Sequence, residues 1–140
     1  MREILFRGKG TCGLNAGDWI YGYYVKDFWK PTRCGCGIIP IDKERGGYCE
    51  VNPSTIGQYT GLTDKNGNKI FEGDILNTTN SNCVIWYVDY KNTAFCCNQG
   101  NVNYSCVLDE FMQFSDVEVI GNVYDNPELL EVNNDKLWKD

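Results

Sequence analysis

The segment that most restricts how this chain can fold runs from Thr55 to Leu76. Ile56, Gln58 and Thr60 alternate with Thr55, Gly57, Tyr59 and Gly61, and a period of two suits a strand. Asp64-Lys65-Asn66-Gly67-Asn68 is dense in turn formers, and Asn66-Gly67 suits a turn that needs positive φ. Ile70 and Phe71 resume the strand. Glu72-Gly73-Asp74 breaks it, and Ile75-Leu76 starts another. A strand, a tight turn, a second strand, a bend and a third strand make a β nucleus.

The rest of the chain agrees with that nucleus. Alanine, the best helix former, occurs only at Ala16 and Ala94, while glycine occurs fifteen times and tyrosine nine. A length of 140 residues fits one domain. We divide it into an N-terminal β region (1–54), a region holding the central motif and the later strands (55–130) and a polar tail (131–140). Strands are expected over Arg2–Arg7, Trp19–Val25, Tyr48–Val51, Cys83–Tyr90, Thr93–Cys97 and Val117–Tyr124, and Cys34–Ile41 is a weaker candidate. Gly8 to Gly17 reads as a loop. Lys91-Asn92 reads as the turn of a hairpin. Asp109–Phe114 fits a helical turn or a short strand equally. Asn126-Pro127 opens a short C-terminal helix, since Asn caps and Pro at the first helical position loses no needed N–H. The expected core is Ile56, Ile70, Ile75, Val84, Trp86, Val119 and Val123.

The chemistry is narrowed mainly by what is missing. The chain has no histidine, which removes the usual neutral-pH general base and His-ligated metal sites. It has no phosphate-binding or dinucleotide-binding glycine motif and no nucleophile elbow. Glu72 and Asp74 could hold Mg²⁺, but flanking Gly73 at a bend they read better as turn residues bonded to nearby backbone N–H groups. Of the eight cysteines, Cys34 and Cys36 are separated by one residue, where zinc sites use two to four. Free thiols therefore lead over zinc or disulfides, and no metal or cofactor is expected. No apolar run approaches a membrane span, and the N-terminus does not read as a signal peptide, so a cytoplasmic protein is expected.

Charge is unevenly spread. Residues 1–50 carry eight basic and six acidic side chains, +2, and residues 51–140 carry five and thirteen, −8, for a net −6. An acidic chain is a poor partner for long nucleic acid, which needs clustered cations. All four arginines lie in the first 45 residues, among Trp19, Tyr21, Tyr23, Phe28 and Trp29. Arginine offers a two-pronged donor for phosphate, and an aromatic ring offers a stacking wall for a base.

Several motifs together resemble one family. Thr55-Ile56-Gly57-Gln58-Tyr59-Thr60-Gly61-Leu62, with Asp64-Lys65, Gly67, Ile70 and Glu72-Gly73-Asp74-Ile75, resembles the signature of the YopX family of phage and prophage proteins. The opening Met1-Arg2-Glu3-Ile4-Leu5-Phe6-Arg7-Gly8-Lys9, the Trp19-Tyr21-Gly22 landmark and the close Glu118-Val119-Ile120-Gly121-Asn122-Val123-Tyr124-Asp125-Asn126-Pro127-Glu128-Leu129-Leu130 resemble it too. The resemblance implies a mainly β fold of antiparallel sheets with an SH3-like barrel region over 55–130, and a phage or prophage origin. It implies no particular activity.

The expectation is a non-enzymatic binding protein acting in the cytoplasm of an infected host. It would sequester a small anionic host molecule such as a signalling nucleotide, as a counter-defence. The ligand residues would be Arg7 or Arg33 on phosphate and Trp19, Tyr21 or Tyr59 on the base. The alternative is a protein-interaction or scaffolding module that engages a host protein through the acidic half. A metal-dependent hydrolase on Glu72 and Asp74 ranks third. Abundant aromatics also lead us to expect a homo-oligomer.

Overall fold

The computed structural model describes residues 2–11, 13–26, 36–42, 44, 47–78, 84–99 and 104–130. Arg33 and the cysteines at 12, 34 and 83 fall outside them, as does the 131–140 tail. The chain gathers into two compact units, Met1–Tyr59 and Thr60–Asp140. Both are built from antiparallel strands, so the mainly β class holds.

The first unit contains β1 (Phe6–Lys9), β2 (Trp19–Lys26), β3 (Cys36–Pro40), β4 (Cys49–Glu50) and the start of β5 (Gly57–Thr63), in the order β4-β3-β2-β1-β5. β1 begins later than the sequence suggested and runs through Gly8 and Lys9, because those residues pair with Ile20 and Trp19. The expected loop therefore starts at Gly10. It is closed by the bonds Gly10 N–H to Asp18 O and Gly17 N–H to Gly10 O, both 2.9 Å. A 3₁₀ turn at Pro53–Thr55 is capped by Asn52, and the Thr55 hydroxyl accepts the Lys9 N–H at 2.9 Å. One face of the sheet is apolar: Ile20, Cys36, Ile38, Cys49 and Val51 form its core, and Phe6 and Ile56 pack against them.

The second unit starts with the rest of β5, which turns back as β6 (Lys69–Phe71); the Thr60 hydroxyl bonds Ile70 O at 2.8 Å. Next come β7 (Asp74–Thr78), β8 (Ile85–Lys91), β9 (Ala94–Gln99), β10 (Ser105–Val107), α1 (Leu108–Met112) and β11 (Val117–Asn122). The sheet order is β10-β9-β8-β7-β11. The sheet is open, with β10 and β11 as its edges, so the SH3-like region implied by the resemblance is not a closed barrel among the described residues. β10 has only three residues, and β11 returns to pair with β7.

Ile70, Leu76, Trp86, Val88, Cys97, Leu108 and Val117 form this unit's core. Of the expected core residues, Ile70, Ile75 and Trp86 are buried, Val84 and Val119 pack partly buried against this core, Ile56 joins the first unit's core, and Val123 is half-buried. The undecided segment is helical: α1 buries Leu108 and sets Phe111 on Trp86, ring centroids 4.6 Å apart. Residues 128–130 are helical, as Asn126-Pro127 suggested, and the Leu129 N–H bonds Asn126 O at 3.1 Å.

Asp64 is the polar hub of the second unit. Its carboxylate accepts the N–H of Asn66, Asn68 and Val119 at 2.9, 2.8 and 2.9 Å. The central turn is thereby fastened to β11, which lies 55 residues away in sequence.

Candidate functional site: a cationic and aromatic sheet face

Strand alternation decides which side chains share the first unit's second face. Directly opposed residues of antiparallel strands project to the same side. Arg7 lies opposite Tyr21, and Lys9 opposite Trp19. On the far side of β1, Arg7 lies opposite Gly57, and the Tyr59 N–H bonds Leu5 O at 2.8 Å. Tyr23 lies opposite Ile39. One face thus gathers Arg7, Lys9, Trp19, Tyr21, Tyr23, Ile39 and Tyr59. Ile20 and Ile38, one residue out of phase, point into the core.

Exposure rises across this face. Tyr59 is 9% exposed and Arg7 5%, whereas Tyr21 reaches 39%, Ile39 41% and Tyr23 56%. Lys9 and Trp19 are half-buried between them. The Arg7 guanidinium sits 4.7 Å from the Trp19 ring centroid and the Lys9 ammonium 5.6 Å from it. A cation over an indole is held by the ring quadrupole, worth ~0.5–2 kcal/mol. Here two cations share one indole, which fixes the ring and keeps positive charge at the centre of the face.

Four of the five residues expected to bind a ligand therefore lie on one face: Arg7, Trp19 and Tyr21 adjoin, with Tyr59 on β5. Arg33 is outside the described residues. Sequence reasoning missed Lys9, because Gly8-Lys9-Gly10 read as a loop; the period of two running on from Arg7 was the signal that could have placed it. It also missed Ile39.

The other candidate chemistry is structural. Asp74 is 2% exposed and its carboxylate accepts the Phe71 N–H at 2.7 Å, closing the bend at Gly73. Among the described residues, no group of three or more acidic or thiol side chains could hold a metal ion. No helix among them is long and apolar enough to cross a membrane.

The first unit is thus an antiparallel sheet with a cationic and aromatic face. The family model for YopX protein matches residues 23–131. The chain belongs to the YopX family. The crystal structure of protein EF1440 from Enterococcus faecalis is similar, with a TM-score of 0.56 and 23% identity over 93% of this chain and 99% of that one. At that identity the likeness concerns the fold alone. A search of curated proteins found no match.

Proposed function

We propose that this YopX-family chain is a non-enzymatic binding protein, of phage or prophage origin, that captures a small anionic molecule carrying a planar group. A nucleotide of host signalling is the ligand class, and its withdrawal is the counter-defence. The observation that carries this reading is the placement of Arg7 and Lys9 over Trp19, beside the exposed Tyr21. Lys9 and Trp19 are half-buried, so each retains surface for a phosphate and a base. Stacking on an aromatic side chain contributes ~1–3 kcal/mol per base. The acidic remainder of the chain repels long polyanions and leaves small ones as the suitable partners.

A ligand that binds only the folded state raises its melting temperature. We expect a panel of mono-, di- and cyclic nucleotides at millimolar concentration to contain at least one that does so. Lys9→Ala should abolish the rise while leaving the unliganded melting temperature close to the parent's, because the ammonium contacts the ring from a half-buried position. A panel without any shift would overturn the reading.

A second reading, docking of a host protein, is favoured by a separate observation. Tyr23 and Ile39 form an exposed cross-strand pair on the same face, and Ile41, 50% exposed, lies two residues further along the chain. Retention of one host protein by the parent, lost with Tyr23→Ser, is the result that supports it.

A further inference from the structure

The second unit holds a pair of thiols that the binding face does not involve. Cys97 on β9 and Cys106 on β10 are directly opposed in the antiparallel register. The Gln99 N–H bonds Tyr104 O at 3.3 Å, which makes those two residues a hydrogen-bonded pair. Two steps along each strand reach Cys97 and Cys106, a pair of the same type, with Cα atoms ~5.5 Å apart. A disulfide spans Cα separations of about 4.4–6.8 Å but draws the Cβ atoms to ~3.5–4.5 Å, closer than a hydrogen-bonded pair holds them, so a bond here forms under strain and is readily reduced. Both side chains lie on the core side of the sheet, Cys97 within the core and Cys106 packed against it. Cys96 cannot take the place of Cys97. It projects from the opposite face, where its Sγ approaches the carbonyls of Ala94 and Lys91 at 3.6 and 3.9 Å.

We propose that Cys97 and Cys106 form a reversible disulfide that clamps β10 to β9 when the protein meets a low-molecular-weight disulfide such as oxidised glutathione. The two thiols have unequal parts. Cys97 is fully buried, and burial, with the charge of Cys106 next, pushes its thiol up to about 12, so it does not attack first. Cys106 is half-buried, so it is the thiol that a small disulfide reaches first.

Cys106 thiolate attacks one sulfur of glutathione disulfide. A Cys106–glutathione mixed disulfide forms and one glutathione thiolate leaves. The thiolate charge that had raised Cys97 is then gone. Cys97 gives its proton to the released glutathione thiolate and attacks the Cys106 sulfur, expelling the second glutathione. Two thiols are oxidised to one disulfide, and one glutathione disulfide is reduced to two thiols.

The test uses the full chain, reduced and then incubated with oxidised glutathione. The expected product has lost two hydrogens and gained no glutathione, peptide mapping assigns the bond to Cys97 and Cys106, and the melting temperature rises by ~5 °C and falls back with dithiothreitol. Cys106→Ser should remove the bond and the rise together. Mapping to a different pair, or a lasting glutathione adduct on Cys106 without closure, would overturn the proposal. Mapping on the parent chain keeps the test decisive even where Cys106→Ser folds poorly.

Discussion

At Gly73 the backbone takes φ +89°, and a Cβ placed there would lie 2.9 Å from a ring carbon of Tyr124. Its N–H bonds Val88 O and its carbonyl accepts the Val123 N–H, both at 2.8 Å, so the conformation is held on two sides. Backbone strain and the ring contact act together. Gly73→Val is expected to cost ~3 kcal/mol, read as a lower denaturant midpoint; an unchanged midpoint would remove the special role of this residue. Asp64 gives a prediction in pH. Burial opposes its charge, but the N–H donors of Val119, Asn68 and Asn66 outweigh burial and hold its carboxyl below the usual carboxylate range. A folded pKa below the unfolded one contributes stability that is complete at neutral pH. That stability is lost as pH falls from about 4, the unfolded value, through the folded pKa. Asp64→Asn should therefore be less stable than the parent at pH 7, and the gap should shrink in acid titrations of the melting temperature. A gap independent of pH would show that the charge does not matter.

Among the elements, the β8–β9 hairpin shows what a sequence conveys about turns and what it does not. Its two arms were legible from the alternation of Val84, Trp86 and Val88, but the turn lies one residue further on than Lys91-Asn92. It consists of Asn92 and Thr93, at φ 52° and 64°, between the paired Lys91 and Ala94. A two-residue hairpin loop of this kind favours residues tolerant of positive φ, and Thr, branched at Cβ, is among the least tolerant. Nothing in the local sequence announces a threonine there, because the register set by the flanking pairs imposes it. Thr93→Gly should stabilise the protein by ~1 kcal/mol through relief of that strain, measured as a raised denaturant midpoint, and a destabilised variant would refute the assignment. The central strands were legible for the opposite reason: Asn66-Gly67 and Gly73 carry their conformations in their residue types. β10 and α1 were not legible, since each is short and held by packing around Trp86 and Leu108. On β2, the period of two separated Trp19, Tyr21 and Tyr23 from Ile20. Which of those faces would be the core depended on the strands that flank it, which the local period does not specify.

For the whole molecule, charge follows structure. Residues 51–59 carry no charged side chain, so the change of sign falls at the boundary of the two units: +2 over Met1–Tyr59 and −8 over Thr60–Asp140. The candidate binding face thus belongs to the unit of net positive charge, a coincidence that composition hinted at and that strand register turned into a surface. The place of β11 in the second sheet bears on how the protein is made. β7, β8, β9 and β10 succeed one another in the chain and pair as neighbours, but among the described residues the other edge of β7 is covered by β11 alone. Between Thr78 and Val117 the ribosome adds 117 − 78 = 39 residues, which at about 5–20 residues per second takes roughly 2–8 s. During that interval the nascent chain carries a buried-type strand, with Ile75 and Leu76 at its centre, along an edge that has no partner. Such an edge pairs readily with a neighbouring chain. The hazard of synthesis for this protein is therefore concentrated in one window, and it ends when the segment from Val117 to Asn122 emerges.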